Sequence, residues 1–291
     1  MPEAPLKPRA CGLAGAVARL AAVCCGFGFT ATPGLAADKT GYSLAHPTPA
    51  HLLRELSTDR PDATESPYTV DAGHLQVEMN FADYERTRLD GDETVASGVT
   101  PFNLRLGVRH NLEVGVFVSP YLRVKETPRG GPGVKTTGLG DVTLRGKWNF
   151  WGNDGGPTAL GLMVDVTLPT ARDGLGVDKT EGAVTFPFAF ELPGGWEGAA
   201  MTAVDWHRNA ANTGYRAGWF NTFTVGHAIA GELSGFLEVT SASGDGRHVA
   251  IFNSGLTYGL NPNTQLDCGL GLGLSRTAPD VGVFAGMSVR F

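Results

Sequence analysis

Asp59, Arg60, Asp62 and Glu65 pack four charges into seven positions of an otherwise lightly charged chain. An arginine among carboxylates offers a planar fork that pairs bidentately with a carboxylate partner. The cluster therefore reads either as a latch docking onto complementary charges, with Arg105, Arg145 and Lys147 as partners, or as a structural turn. Asp205 and His207 lie two apart, on one face of any strand, with His227 and His248 further on. A carboxylate–imidazole pair can activate a serine. Ser241 and Ser243 are nucleophiles in name, since no nucleophile motif frames them. The histidines lack metal-ligand spacing. Gly131 to Thr136 has the composition of a phosphate loop, but its Gly and Lys are not adjacent and no helix follows, so it reads as an external loop. No catalytic, metal or cofactor site is expected.

The elements that must carry these residues are strands. From about Gly73 the chain breaks into twelve segments of 11–15 residues: 73–86, 98–109, 112–125, 138–151, 157–169, 181–193, 196–208, 214–227, 230–242, 246–260, 262–275 and 280–291. Several alternate cleanly with period two. In 138–151, Val142, Leu144, Trp148 and Phe150 oppose Asp141, Thr143, Arg145, Lys147 and Asn149. In 112–125, Leu112, Val114, Val116, Val118, Leu122 and Val124 oppose Glu113, Tyr121, Arg123 and Lys125. Segments 214–227 and 246–260 alternate poorly. In a soluble sandwich the charged face meets water and the apolar face forms the core. In a transmembrane barrel the apolar face meets lipid and the charged face lines the lumen. That lining would include Arg105, Glu113, Asp141, Arg145, Lys147, Asp165 and Asp267, with Glu78, Arg123, Glu191, Asp205, Glu238 and Arg290. Such charges bias which solutes pass, or are paired filler that closes a narrow barrel.

Segment length favours the barrel, because about 9–11 tilted residues cross a bilayer. An even number returns both termini to one side. Short links at 110–111, 193–195, 228–229 and 261–262, with a slightly longer one at 151–156, alternate with longer polar ones near 88–97, 126–137, 170–180 and 209–213. Trp148, Trp151, Trp196, Trp206, Trp219 and Tyr258 stand near segment ends, as interfacial girdles or as ordinary core aromatics.

Composition narrows the class. Charged residues make up 18% of the 291, below the ~25% of a soluble domain. After the first forty residues no apolar run reaches the ~20 needed for a membrane helix. Residues 1–37 read as a signal peptide: Lys7 and Arg9, an apolar stretch from Cys11 to Phe29 interrupted by Arg19, then Gly34-Leu35-Ala36-Ala37. A membrane anchor is the alternative. Cleavage would remove a net +2 from a chain of −6, leaving −8, and would leave Cys268 as the one cysteine. That excludes an internal disulfide and a thiol metal cluster. The acidic balance argues against a nucleic-acid partner. Residues 38–72 are Pro-rich and aperiodic, a periplasmic leader or plug ahead of the barrel at 73–291.

The last twelve residues carry the most specific signal. Val281, Val283, Ala285, Met287 and Val289 alternate with Gly282, Phe284, Gly286, Ser288 and Arg290, and the chain stops at Phe291. This resembles the final strand of a bacterial outer-membrane barrel, in which a terminal Phe is the signal read by the barrel-assembly machinery. Three stretches together, Thr58 to Val70, Gly138-Leu139-Gly140-Asp141-Val142 and Gly286 to Phe291, resemble the outer-membrane barrels named for the meta-pathway of phenol degradation, labelled transporters. The resemblance covers roughly 58–291. It implies an outer-membrane location and passage of small hydrophobic or aromatic solutes, and it supplies no catalytic residues. The expectation is thus an all-β, closed antiparallel transmembrane barrel of about twelve strands that acts as a passive channel. A non-conducting structural or adhesive barrel and an outer-membrane hydrolase remain as alternatives.

Overall fold

The computed structural model describes residues 38–172, 174–209 and 213–291. The segment read as a signal peptide, 1–37, lies outside the described residues. One 3-10 turn (Ala50–Leu52) precedes an all-antiparallel sheet. Its strands are β1 (Leu75–Leu89), β2 (Asp92–Val99), β3 (Phe102–Arg109), β4 (Leu112–Val118), β5 (Tyr121–Thr127), β6 (Val134–Gly138), β7 (Val142–Trp151) and β8 (Thr158–Leu168). They continue as β9 (Glu181–Leu192), β10 (Trp196–Arg208), β11 (Tyr215–Ala230), β12 (Leu233–Gly244), β13 (Arg247–Asn261), β14 (Thr264–Gly273) and β15 (Val281–Arg290). β1 pairs with β15 from Gln76↔Arg290 to Arg86↔Val281, which closes the sheet into a barrel. Closure leaves no open edge where β1 meets β15, the condition for crossing lipid with strands, while β6 at the rim pairs only with β5.

Fifteen strands make twelve staves, because three staves are each interrupted once. β2 and β3 are one stave, β4 and β5 another, β6 and β7 a third. The interruptions lie side by side: Val99↔Tyr121 pairs above them, Phe102↔Val118 and Val118↔Val142 below. Pro101 and Pro120 supply no N–H there. Thr100 adopts a φ of 54° at the same level. β1 shifts register between Asn80 and Ala82 at the same height.

The faces sort inside out relative to a soluble protein. On β7, Leu144, Trp148 and Phe150 are exposed outward, while Lys147 is 0% and Asn149 2% exposed inward. Trp148, Trp151, Trp196, Trp206, Trp219 and Tyr258 are all exposed, so they are a girdle and not a core. A buried charged interior within an apolar exterior excludes the soluble sandwich. The poorly patterned segments resolve as well: on β13, Ile251 and Thr257 are buried while Leu256 and Tyr258 are exposed.

Four details differ from the sequence reading. Residues 88–97 and 126–137 are mostly strand, not loop. β1 and β2 turn tightly at Asp90-Gly91, and β5 pairs with β6 from Leu122↔Gly138 to Glu126↔Val134. These parts stand beyond the lipid, where neither face must be apolar, so they carry no apolar stripe. The β11–β12 turn falls at 231–232 rather than 228–229, because of a bulge between Ala228 and Ala230. The β4–β5 stave changes phase at Ser119-Pro120. Val124 is buried inward whereas Tyr121, Arg123 and Lys125 are exposed outward, the reverse of the expected faces. Arg123 is therefore not a lumen residue.

Candidate functional site

The site is the interior of the barrel, and the chain's own residues 57–72 run through it. From Thr58 to Ala72 every residue except Tyr68 is buried. The cluster Asp59, Arg60, Asp62 and Glu65 meets inward side chains from most of the circumference.

Arg105 on β3 is the hub on one side. It is 0% exposed, and its five N–H groups are all engaged. Nε and Nη2 donate to Glu113 of β4 at 2.9 and 3.0 Å, and Nη1 donates to Glu78 of β1 at 2.7 Å. The remaining donors reach the carbonyls of Tyr68 at 3.1 Å and Ser57 at 3.3 Å. The carboxylate of Asp59 then sits among three cations: Lys147 Nζ in direct contact, Arg105 at 3.4 Å and Arg145 at 3.6 Å. Its backbone N–H donates to Glu78 at 3.0 Å.

Arg145 on β7 forks onto Asp165, its cross-strand partner on β8, at 2.8 and 2.9 Å. Its remaining arm donates to Glu65 at 2.9 Å. Across the lumen, Arg60 forks onto Asp267 of β14 at 3.1 and 2.7 Å, and its guanidinium lies 5.4 Å from the centre of the Phe284 ring. A Cβ on Gly286 would come within 2.2 Å of the Met79 backbone carbonyl and 2.3 Å of that guanidinium, so the packing of β15 against β1 and Arg60 needs glycine there. Glu238 on β12 accepts from the Ala63 N–H at 2.8 Å and the Thr64 hydroxyl at 2.6 Å. Thr64 also meets Thr222 of β11 at 2.7 Å. The Val70 N–H donates to Glu113 at 2.7 Å.

A second cluster holds the leader at the end that carries Phe291. Arg54 donates to Asp154 at 2.8 Å, to the His110 carbonyl at 2.6 Å and to the Thr69 carbonyl at 3.3 Å. Lys39 pairs with Asp154 at 3.0 Å, and Arg290 donates to the Arg54 carbonyl at 2.8 Å. Asp154 lies in the turn between β7 and β8, outside the spanning strands. Burial alone would raise its carboxyl, but hydrogen bonds and charge from Arg54 and Lys39 outweigh that and hold it below its ordinary value. Glu55 nearby is raised by burial.

Asp141 sits apart from the central network. It opens β7 at the opposite rim, where its carboxylate accepts the backbone N–H groups of Thr170 at 2.9 Å, Ala171 at 2.8 Å and Val177 at 2.6 Å. It therefore holds the β8–β9 loop. The other named residues, Arg105, Glu113, Arg145, Lys147, Asp165 and Asp267, all join the central network. Sequence reasoning missed Arg54, Asp71 and Asp154: Asp71 pairs with Arg54 at 3.2 Å and with Arg290 at 3.7 Å, and ion pairs that reach from Lys39 to Asp154 or from Asp71 to Arg290 leave no local pattern. The candidate hydrolase residues are not assembled. Asp205 and His207 pair at 2.6 Å, with Asp245 3.4 Å from the other ring nitrogen. Ser241 meets a different histidine, His248, at 3.0 Å. The Gly131–Thr136 stretch forms the β5–β6 turn and the start of β6.

The family model described as "Putative MetA-pathway of phenol degradation" matches residues 58–291, from the buried cluster to the last residue. The chain belongs to that family. No curated protein sequence matches it. Among solved structures, the outer membrane channel from Pseudomonas putida F1 superposes with a TM-score of 0.59 at 15% identity, over 80% of this chain and 100% of that one. The toluene transporter TbuX of Ralstonia pickettii gives 0.40 at 10% identity, over 75% of this chain and 88% of that one. The fold, on the first of these superpositions, is that of a bacterial outer-membrane channel, and within the matched residues the last stave and the charged 58–70 stretch of this chain meet at Gly286 and Arg60.

Proposed function

We propose that the protein is a passive outer-membrane channel for small solutes, with residues 58–72 as a plug latched inside the lumen. The observation that carries this is the burial of Asp59, Arg60, Asp62 and Glu65 within a barrel whose inward face supplies partners to Asp59, Arg60 and Glu65. The segment is anchored from β1, β3, β7, β11, β12 and β14, by polar and ionic contacts that water can replace. Solute would enter between the distal loops, pass the charged constriction and leave past 58–70. The family's name points to aromatic compounds as the solute class. The chain is not read as an enzyme: Asp205 and His207 pair with each other, while Ser241 meets His248 instead. Phe291 is read as the signal recognised by the barrel-assembly machinery. It is exposed, and its N–H donates to the Leu75 carbonyl at 2.8 Å across the seam that closes the barrel.

The test is uptake into liposomes carrying the mature protein, with phenol and toluene against a charged solute of similar size. Entry of the aromatic solutes above the protein-free rate supports the channel. Equal rates with and without protein would favour the non-conducting barrel, which the extent of charge pairing in the lumen makes the second reading.

A further inference from the structure

The phase change at Ser119-Pro120 turns Arg123 and Lys125 of β5 to the outside of the barrel. Lys125 is directly paired with Lys135 of β6, and Arg123 with Thr137, so the three cations share one outward face. All three are exposed. Among the described residues, none of them has an ion pair or a side-chain hydrogen bond. The carboxylate on the same outer face across β2, Glu93, is taken by Arg88 at 3.3 Å. Directly opposed like charges destabilise a strand pair, so Lys125 facing Lys135 calls for an anion between them. A lysine on the edge strand β6 can serve simply to deter pairing with another chain. That accounts for Lys135 and not for Arg123 or Lys125, which lie on β5 between two partners.

The height of the cluster identifies the anion. Immediately below it on the same face, Tyr121 and Val99 are paired with each other and exposed. An outward tyrosine over apolar neighbours marks the membrane interface. The next residues up the strands, about 7 Å per pair of positions, stand at the level of lipid headgroups. Lysine and arginine are strong phosphate donors. We infer that the outer face of β5 and β6 binds the phosphorylated headgroup of an outer-leaflet glycolipid, with Arg123, Lys125 and Lys135 as its ligands.

This inference rests on the outer-membrane reading, and its test separates the two. The mature protein in a non-ionic detergent is titrated with bisphosphorylated lipid A, with its dephosphorylated form, and with inorganic phosphate. The expected result is binding of bisphosphorylated lipid A at least about tenfold tighter than of the dephosphorylated lipid, weakening as salt rises and the Debye length shortens. The triple variant R123Q/K125Q/K135Q should lose that preference. K125E, which sets a carboxylate opposite Lys135, should lose most of it while keeping the fold. Mobility of unboiled samples on a cold gel reports that each variant is a closed barrel. Equal affinity for the two lipids, an undiminished preference in a folded triple variant, or inorganic phosphate binding as tightly as the lipid would overturn the lipid site and leave the channel reading untouched.

Discussion

Removing the carboxylate of Asp267 should undock the plug without unfolding the barrel. Arg60 is 4% exposed, and its Nε and Nη2 both donate to carboxylate oxygens of Asp267. Asp267→Ala leaves a buried guanidinium facing an alanine. Breaking a buried pair from one side costs about 3–5 kcal/mol, which is roughly a 10²- to 10³-fold shift in an equilibrium, or somewhat more at the upper end. Arg60 can escape that cost by leaving for water, because it sits on a segment and not on a stave. The penalty therefore falls on docking, and the twelve-stave ladder, whose backbone bonds do not involve Arg60, keeps its stability. Planar-bilayer recordings of wild type, Asp267→Ala and the exchange Arg60→Asp/Asp267→Arg read the docked fraction as the closed time. The alanine variant should open far more often, at an unchanged boiling-dependent gel shift, and the exchange should restore much of the closed time. Wild-type gating in Asp267→Ala, or a loss of the gel shift equal to the gain in opening, would refute the reasoning.

Arg105→Lys keeps the charge but replaces five directed donors with three, and leaves the Glu113 carboxylate without its fork; protease cleavage within 57–72 should become at least about tenfold faster in the folded protein. At the leader clip, the depressed carboxyl of Asp154 contributes attachment that is fully present above its ordinary value of 3.8 and is lost as pH falls through its lower, docked value. Limited proteolysis of residues 38–56 should thus accelerate on acidification in that range, and Asp154→Asn should be cleaved fast at neutral pH with a flatter pH profile. Deleting Phe291 should leave the protein largely unassembled in cells, seen as loss of the boiling-dependent shift in membrane extracts; a normal shift would remove Phe291 as the assembly signal.

Much of the barrel was legible because lipid imposes a local rule. Where a stave crosses the bilayer, as at Leu144, Trp148 and Phe150 against Arg145, Lys147 and Asn149, each position reports its own face. The rule lapses where lipid ends. Residues 88–97 look like loop because both of their faces meet polar surroundings, and the β11–β12 turn shifted because the bulge after Ala228 is set by pairing and not by composition. It also fails across Ser119-Pro120, where neighbouring staves break side by side with their register kept, the parity reverses and Arg123 is carried outside. The inward list was recoverable by counting in twos from Val142 or Phe291. The pairing within it was not: Arg60 with Asp267, or Arg54 with Asp154, joins residues that only closure of the barrel brings together.

The central claim, a lumen closed by its own segment, is tested most directly by single-channel recording of the mature protein beside a version lacking residues 58–70, both verified as closed barrels by gel mobility. The account predicts brief, rare openings for the mature protein and a sustained conductance for the deletion. Identical traces from the two would contradict it, because residues 58–70 would then not be what limits passage through the barrel.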